Sequence, residues 1–125
     1  MTQEDKELLL KDLCARLPYG VKVEITHWRN RDKGMMDSRI FRVPLDINKA
    51  SVLIKPTSDT RPYLFPLSSM TKDQKKEQEA YFICINHGMS FSICRYMEWC
   101  YKNHLDINGL IPKGLAIDAT GLNIY

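Results

Sequence analysis

Val21-Lys22-Val23-Glu24-Ile25-Thr26-His27-Trp28-Arg29 is the stretch that decides the fold. Val21, Val23 and Ile25 fall on one side and Lys22, Glu24 and Thr26 on the other, the two-residue period of a half-buried strand. Asn30 to Gly34 is charged and ends in glycine, which marks a reversal, and Phe41, Val43, Leu45 and Ile47 then resume alternation. The pattern predicts a β-hairpin. Pro44 brings no N–H to a ladder, so the second strand must lie at an edge or break there. Val52-Leu53-Ile54 suggests a short third strand.

Upstream, Leu9, Leu10, Leu13 and Leu17 recur at spacings of three and four, the apolar face of a helix, with Lys6, Lys11, Asp12 and Arg16 on the remainder. Thr2 caps its start, and Pro18 with Gly20 stops it. Downstream, residues 55–71 combine Pro56, Pro62 and Pro66 with small polar residues and the anchors Tyr63, Leu64, Phe65 and Leu67, and read as a packed crossing loop. Thr71-Lys72-Asp73-Gln74 is a capping box, and helix formers follow until Gly88. Ser90 begins another helix running through Cys94, Met97 and Tyr101 to about His104. Leu115-Ala116-Ile117 and Leu122-Asn123-Ile124-Tyr125 read as short strands or coil. The fold class is α+β, a single domain over residues 1–125: an N-terminal helix, an antiparallel sheet of about three strands, then a helical pair and a short C-terminal extension.

Composition agrees with a folded domain. The chain has 125 residues, 44% hydrophobic, enough for a core without staples. The longest apolar runs fall far short of a membrane span, so no membrane partner is expected. Met1-Thr2-Gln3-Glu4-Asp5-Lys6-Glu7 is acidic where a secretory signal would be basic and then apolar, which predicts a cytoplasmic protein. Eighteen Lys and Arg against fifteen Asp and Glu leave +3, too small a surplus to demand a nucleic acid or anionic lipid. Residues 16–61 nevertheless hold ten basic and five acidic residues, so the basic charge concentrates on the sheet.

Four groups of residues are candidates for chemistry or binding. Cys84 with His87, and Cys100 with His104, sit at helical spacings of three and four, so two antiparallel helices would present a zinc-type thiolate and imidazole set. Against this, structural zinc sites place their cysteines on tight turns, and buried free cysteine is ordinary packing; no metal and no cofactor are therefore assigned. Trp28, Arg29, Arg31, Lys33, Arg39 and Arg42 form a basic hairpin able to meet phosphates while Trp28 stacks on a base, although a solvated edge explains the same charges. Catalytic residues are not identified: Ser68-Ser69 and Cys14 lack a base, the histidines are scattered, and the glycines make no phosphate loop. Enzymatic activity is thus the weaker class. Finally, Phe91, Tyr96, Met97, Trp99 and Tyr101 give the last helix more apolar surface than one side can hide. Tyr96 and Trp99 are the expected contacts to a protein partner or to a second copy.

Three separated blocks carry a resemblance. They are Leu13-Cys14-Ala15-Arg16-Leu17-Pro18-Tyr19-Gly20-Val21-Lys22-Val23; Arg61-Pro62-Tyr63-Leu64 with Pro66 and Ser68-Ser69-Met70-Thr71; and Asn103-His104 with Asp106 and Asn108-Gly109-Leu110-Ile111-Pro112-Lys113-Gly114-Leu115-Ala116. Together these resemble a family of small uncharacterised proteins encoded in phages, prophages and conjugative elements of gut anaerobic bacteria. The resemblance implies an accessory gene on a mobile element, acting inside a bacterial cell, and implies no catalytic or binding residue. It suits a protein acting through protein–protein interaction or, alternatively, a nucleic-acid-binding accessory factor using the basic hairpin.

Overall fold

The computed structural model describes residues 2–30, 32–45 and 58–125. Helix α1 spans Gln3–Arg16, strands β1 Lys22–Asn30, β2 Met35–Pro44 and β3 Ser58–Leu64 follow, then helices α2 Lys72–Asn86 and α3 Phe91–Lys102, and strand β4 Ile117–Asp118. The sheet order is β2-β1-β3-β4. β1 runs antiparallel to both neighbours, whereas β4 lies parallel to β3. The α+β class is as the sequence predicts, with four strands in a mixed sheet.

Thr2 caps α1 by accepting the Asp5 N–H at 3.1 Å, and a 3-10 turn over Leu17–Tyr19 ends at Gly20, whose φ of 68° is left-handed. The buried face of α1 is not the one its leucines suggest. Leu9 and Leu13 are buried, Leu10 is exposed, and Asp12 and Arg16 are both wholly buried. They are inside because they pair with each other: Arg16 Nε and Nη2 donate to the Asp12 carboxylate, Nη2 also donates to the Leu105 carbonyl at 2.7 Å, and Asn108 Nδ2 donates to Asp12 Oδ2 at 2.8 Å, which leaves only Nη1 of the guanidinium without a hydrogen bond. The guanidinium also covers the Tyr101 ring at 4.9 Å. One i,i+4 pair thereby ties α1 to the end of α3 and to the loop after it.

Val21, Val23 and Ile25 enter the core with Leu9, Leu13, Leu45, Leu64, Leu110 and Leu115. The other side of β1 is not solvated in its middle, since Glu24 and Thr26 are also buried. The central position of β1 and the side chains beside it explain this: Tyr63 lies beside Glu24, burial together with that carboxylate raising the phenol's pKa, and Trp28 Nε1 donates to Asp59 Oδ2 at 2.7 Å. On β2 a bulge sets Phe41 and Arg42 against Glu24 alone, with Arg42 at a φ of 54°. Pro44 ends β2 at the sheet edge, where its missing N–H is harmless.

The sequence reading of 55–71 as loop is corrected by β3, whose register with β1 runs from Ser58 opposite His27 to Pro62 opposite Val23. Pro62 is tolerated because β4 pairs only with Tyr63 and Leu64, so β3 is itself an edge at that point. The third strand expected at Val52-Leu53-Ile54, and Ile47, lie outside the described residues. After α3 the chain returns along the sheet: Phe65 N–H donates to the His104 carbonyl at 2.8 Å, and Asp106 N–H to the Phe65 carbonyl at 2.9 Å. Asp106 then accepts the Leu110 and Ile111 N–H groups at 2.8 and 2.9 Å, folding the turn that delivers Leu110 and Leu115 to the core.

Candidate interaction surface

α2 and α3 form an antiparallel helical hairpin that packs on α1 through the end of α3. Thr71 and Gln74 make both bonds of the capping box at the start of α2, at 3.2 and 3.0 Å, and Gly88 closes the turn between the helices at a φ of 84°. The seam between them is aromatic. Tyr81 lies 5.9 Å from Tyr96 and 5.8 Å from Trp99, Phe82 lies 5.1 Å from Tyr96, and Tyr96 stacks on Trp99 at 5.9 Å. Polar tips fasten the same seam, with Trp99 Nε1 donating to Glu77 Oε2 at 2.7 Å and Gln78 Nε2 to the Tyr96 hydroxyl at 3.0 Å. Burial pushes the Tyr96 phenol up.

Tyr96 and Trp99 are therefore half-buried within the hairpin rather than lying free on its surface. The surplus apolar surface is elsewhere: Phe82, Ile83, Met89, Phe91, Ile93 and Met97 each expose between 40% and 58% of their area. They crowd toward the closed end of the hairpin, in the last turns of α2, the connecting turn and the first two turns of α3. No residue of α2 is fully buried, and α3 buries only Ser92 and Cys100. The sequence signal for this exposed patch is the apolar excess itself. Which rings filled the seam depended on the hairpin register, which spacing alone does not give.

The same register separates the candidate zinc ligands. Contacts of Glu77 with Trp99 and of Gln78 with Tyr96 set Cys100 level with the first turns of α2. Cys84 instead lies near the closed end, about 12–15 Å further along the helix axis at ~1.5 Å per residue. Among the described residues no three His, Cys, Asp or Glu side chains gather as a metal site. Cys100 is buried, with its thiol pushed up by that burial, while His87 is exposed. His104 lies beyond α3 at a φ of 58° and stacks on Tyr125 instead. All four cysteines are free.

The basic hairpin is partly engaged with carboxylates. Trp28 donates to Asp59, Arg29 meets Asp37 at 3.2 Å in an exposed pair, and Arg39 Nε lies 3.8 Å from Glu24 Oε1. Lys33 is exposed at the tip, Arg42 sits exposed in the bulge, and Arg31 lies outside the described residues. Trp28 shares the Glu24 side of β1, as its phase predicts, but is half-buried against β3 rather than open for stacking.

Among the described residues no helix is long and apolar enough to cross a membrane. No family model, curated protein or solved structure matches the chain.

Proposed function

We propose that this chain is an accessory protein of a phage or mobile element that acts through protein–protein interaction, with the exposed side of the α2–α3 hairpin as its docking face. One observation carries the docking reading. The hairpin uses Tyr81, Tyr96 and Trp99 to hold itself together and still leaves six large apolar side chains at its closed end in solvent. With side chains of this size the exposed apolar area there is on the order of 500 Å2, at the upper end of what monomeric proteins show and typical of a functional patch. Two of the six are methionines, whose flexible thioethers adapt to a partner's shape. The mobile-element context rests on the three sequence blocks described above.

Affinity capture from the native host tests this reading. A protein should be retained by the wild type and lost from Phe91→Glu and Ile93→Glu, whose helix content and thermal midpoint stay at the wild-type values. Loss of nothing on either substitution, or retention only of nucleic acid, would remove the hairpin as the docking face.

A further inference from the structure

Resting on that docking reading, we propose that the occupant of the hairpin face is a second copy of this chain, paired through a two-fold contact of α3 with its equivalent. Around α3, Ser92 and Cys100 are buried, and Tyr96 and Trp99 are half-buried against α2. The solvent side divides into two stripes. Ile93, Cys94 and Met97 form an apolar one, and Phe91, Arg95, Glu98 and Lys102 recur at spacings of three and four to form a charged flank beside it. All seven residues are exposed.

A two-fold axis brings the same flank of both helices together, running in opposite directions. With the axis passing between Tyr96 and Met97, Arg95 of one copy meets Glu98 of the other, Phe91 meets Lys102, and symmetry makes each contact twice. Met97, the end of the apolar stripe nearest the axis, is then the point at which the two stripes approach each other. Within a single chain the two charges go without an ion-pair partner among the described residues, although Arg95 rests over the Phe91 ring at 5.1 Å. The charge order along the helix is thus its own complement when reversed.

The area fits a dimer as well. α3 is about 18 Å long, too short to bury the roughly 800 Å2 per partner of a stable interface by itself. Phe82, Ile83 and Met89 at the closed end of the hairpin extend the apolar surface beyond the helix, and the charged flank supplies the polar rim.

Light scattering on the full chain after size exclusion tests this. The wild type should run at twice the 14.6 kDa chain mass. Arg95→Glu alone and Glu98→Arg alone each set like charges against each other twice, and each should shift the protein to monomer. The double substitution Arg95→Glu with Glu98→Arg should restore the dimer, which no general loss of folding can mimic. Circular dichroism of every variant should match the wild type. A dimer indifferent to both single reversals, or one not restored by the double, overturns the α3 pairing. A wild type that stays monomeric at its highest soluble concentration overturns the second copy altogether. The docking reading would then stand or fall separately, on whether a captured partner is lost with Phe91→Glu.

Discussion

The imidazole of His104 lies flat on the ring of Tyr125, with centroids 3.7 Å apart and planes 10° from parallel. Burial, reinforced by the positive charges of Arg16 and Lys22, lowers the His104 pKa to about 4. Its Nδ1 is buried without a partner, so nothing nearby welcomes a second proton. An unfolded histidine titrates near 6.5, so the unfolded chain binds more protons between the two values. Stability from this group is therefore full above about pH 6.5 and is lost as the pH falls through 4. Urea unfolding at pH 7, 5 and 4 should show that loss in the wild type. His104→Asn, which suits the left-handed backbone, should flatten the added slope while leaving the carboxylate contribution in place.

The Tyr125 hydroxyl accepts the Lys22 N–H at 2.8 Å and donates to the Tyr63 carbonyl at 2.8 Å, pinning the chain after β4 against β1 and β3. Burial pushes the phenol up to about 12, above its ordinary value near 10. The stabilisation it gives is then fully present below pH 10 and lost as the pH rises through 12. Tyr125→Phe keeps the stacking on His104 and removes both hydrogen bonds. We expect a loss of about 1–2 kcal/mol, read as a lower urea midpoint with an unchanged slope.

Asp12 and Arg16 form an ion pair with no exposure on either side chain. Removing one partner strands the other charge in the core, so Arg16→Met should cost about 3–5 kcal/mol. The double substitution Asp12→Leu with Arg16→Met should cost clearly less than the sum of the two singles, because it removes the stranded charge while filling the space. Denaturant unfolding of the four proteins completes the cycle. Additive losses would mean that the pair is not coupled as its geometry requires.

The same pair shows where sequence reading stops. Spacing placed Asp12 and Arg16 on the polar remainder of α1, because a helical wheel cannot know that the Leu105 carbonyl and Asn108 arrive from the far end of the chain to satisfy them. Signals that act within a few residues were legible: the Thr2 cap, the Thr71–Gln74 box, the Gly20 stop and the Val21-Val23-Ile25 face all stand in the structure. β3 was hidden because three prolines within 55–71 suggest loop, and Pro62 is admitted only by the shortness of β4. At the hairpin the apolar excess was legible, but its division between seam and surface was not. Tyr96 and Trp99 went to the seam because their hydroxyl and indole N–H find Gln78 and Glu77 across it, partners that Phe91 and Ile93 have no polar atom to use.

Nucleic-acid binding by the β1–β2 hairpin makes the opposite demand on salt from the apolar docking proposed for α2–α3. A chain that neutralises several phosphates loses affinity steeply between low and physiological salt, whereas apolar burial holds or strengthens. Three of the basic hairpin's contacts already go to carboxylates of the same chain, through Trp28, Arg29 and Arg39. The exposed Arg29–Asp37 pair is weak and would yield to a phosphate, so the outcome is decided by measurement at low ionic strength. Fluorescence anisotropy with a labelled single-stranded oligonucleotide should show at most weak binding at low salt, gone at physiological salt and unchanged by Trp28→Phe. Retained affinity at physiological salt, falling steeply above it and reduced by Arg29→Glu with Arg42→Glu, would instead make the hairpin the working surface of the protein.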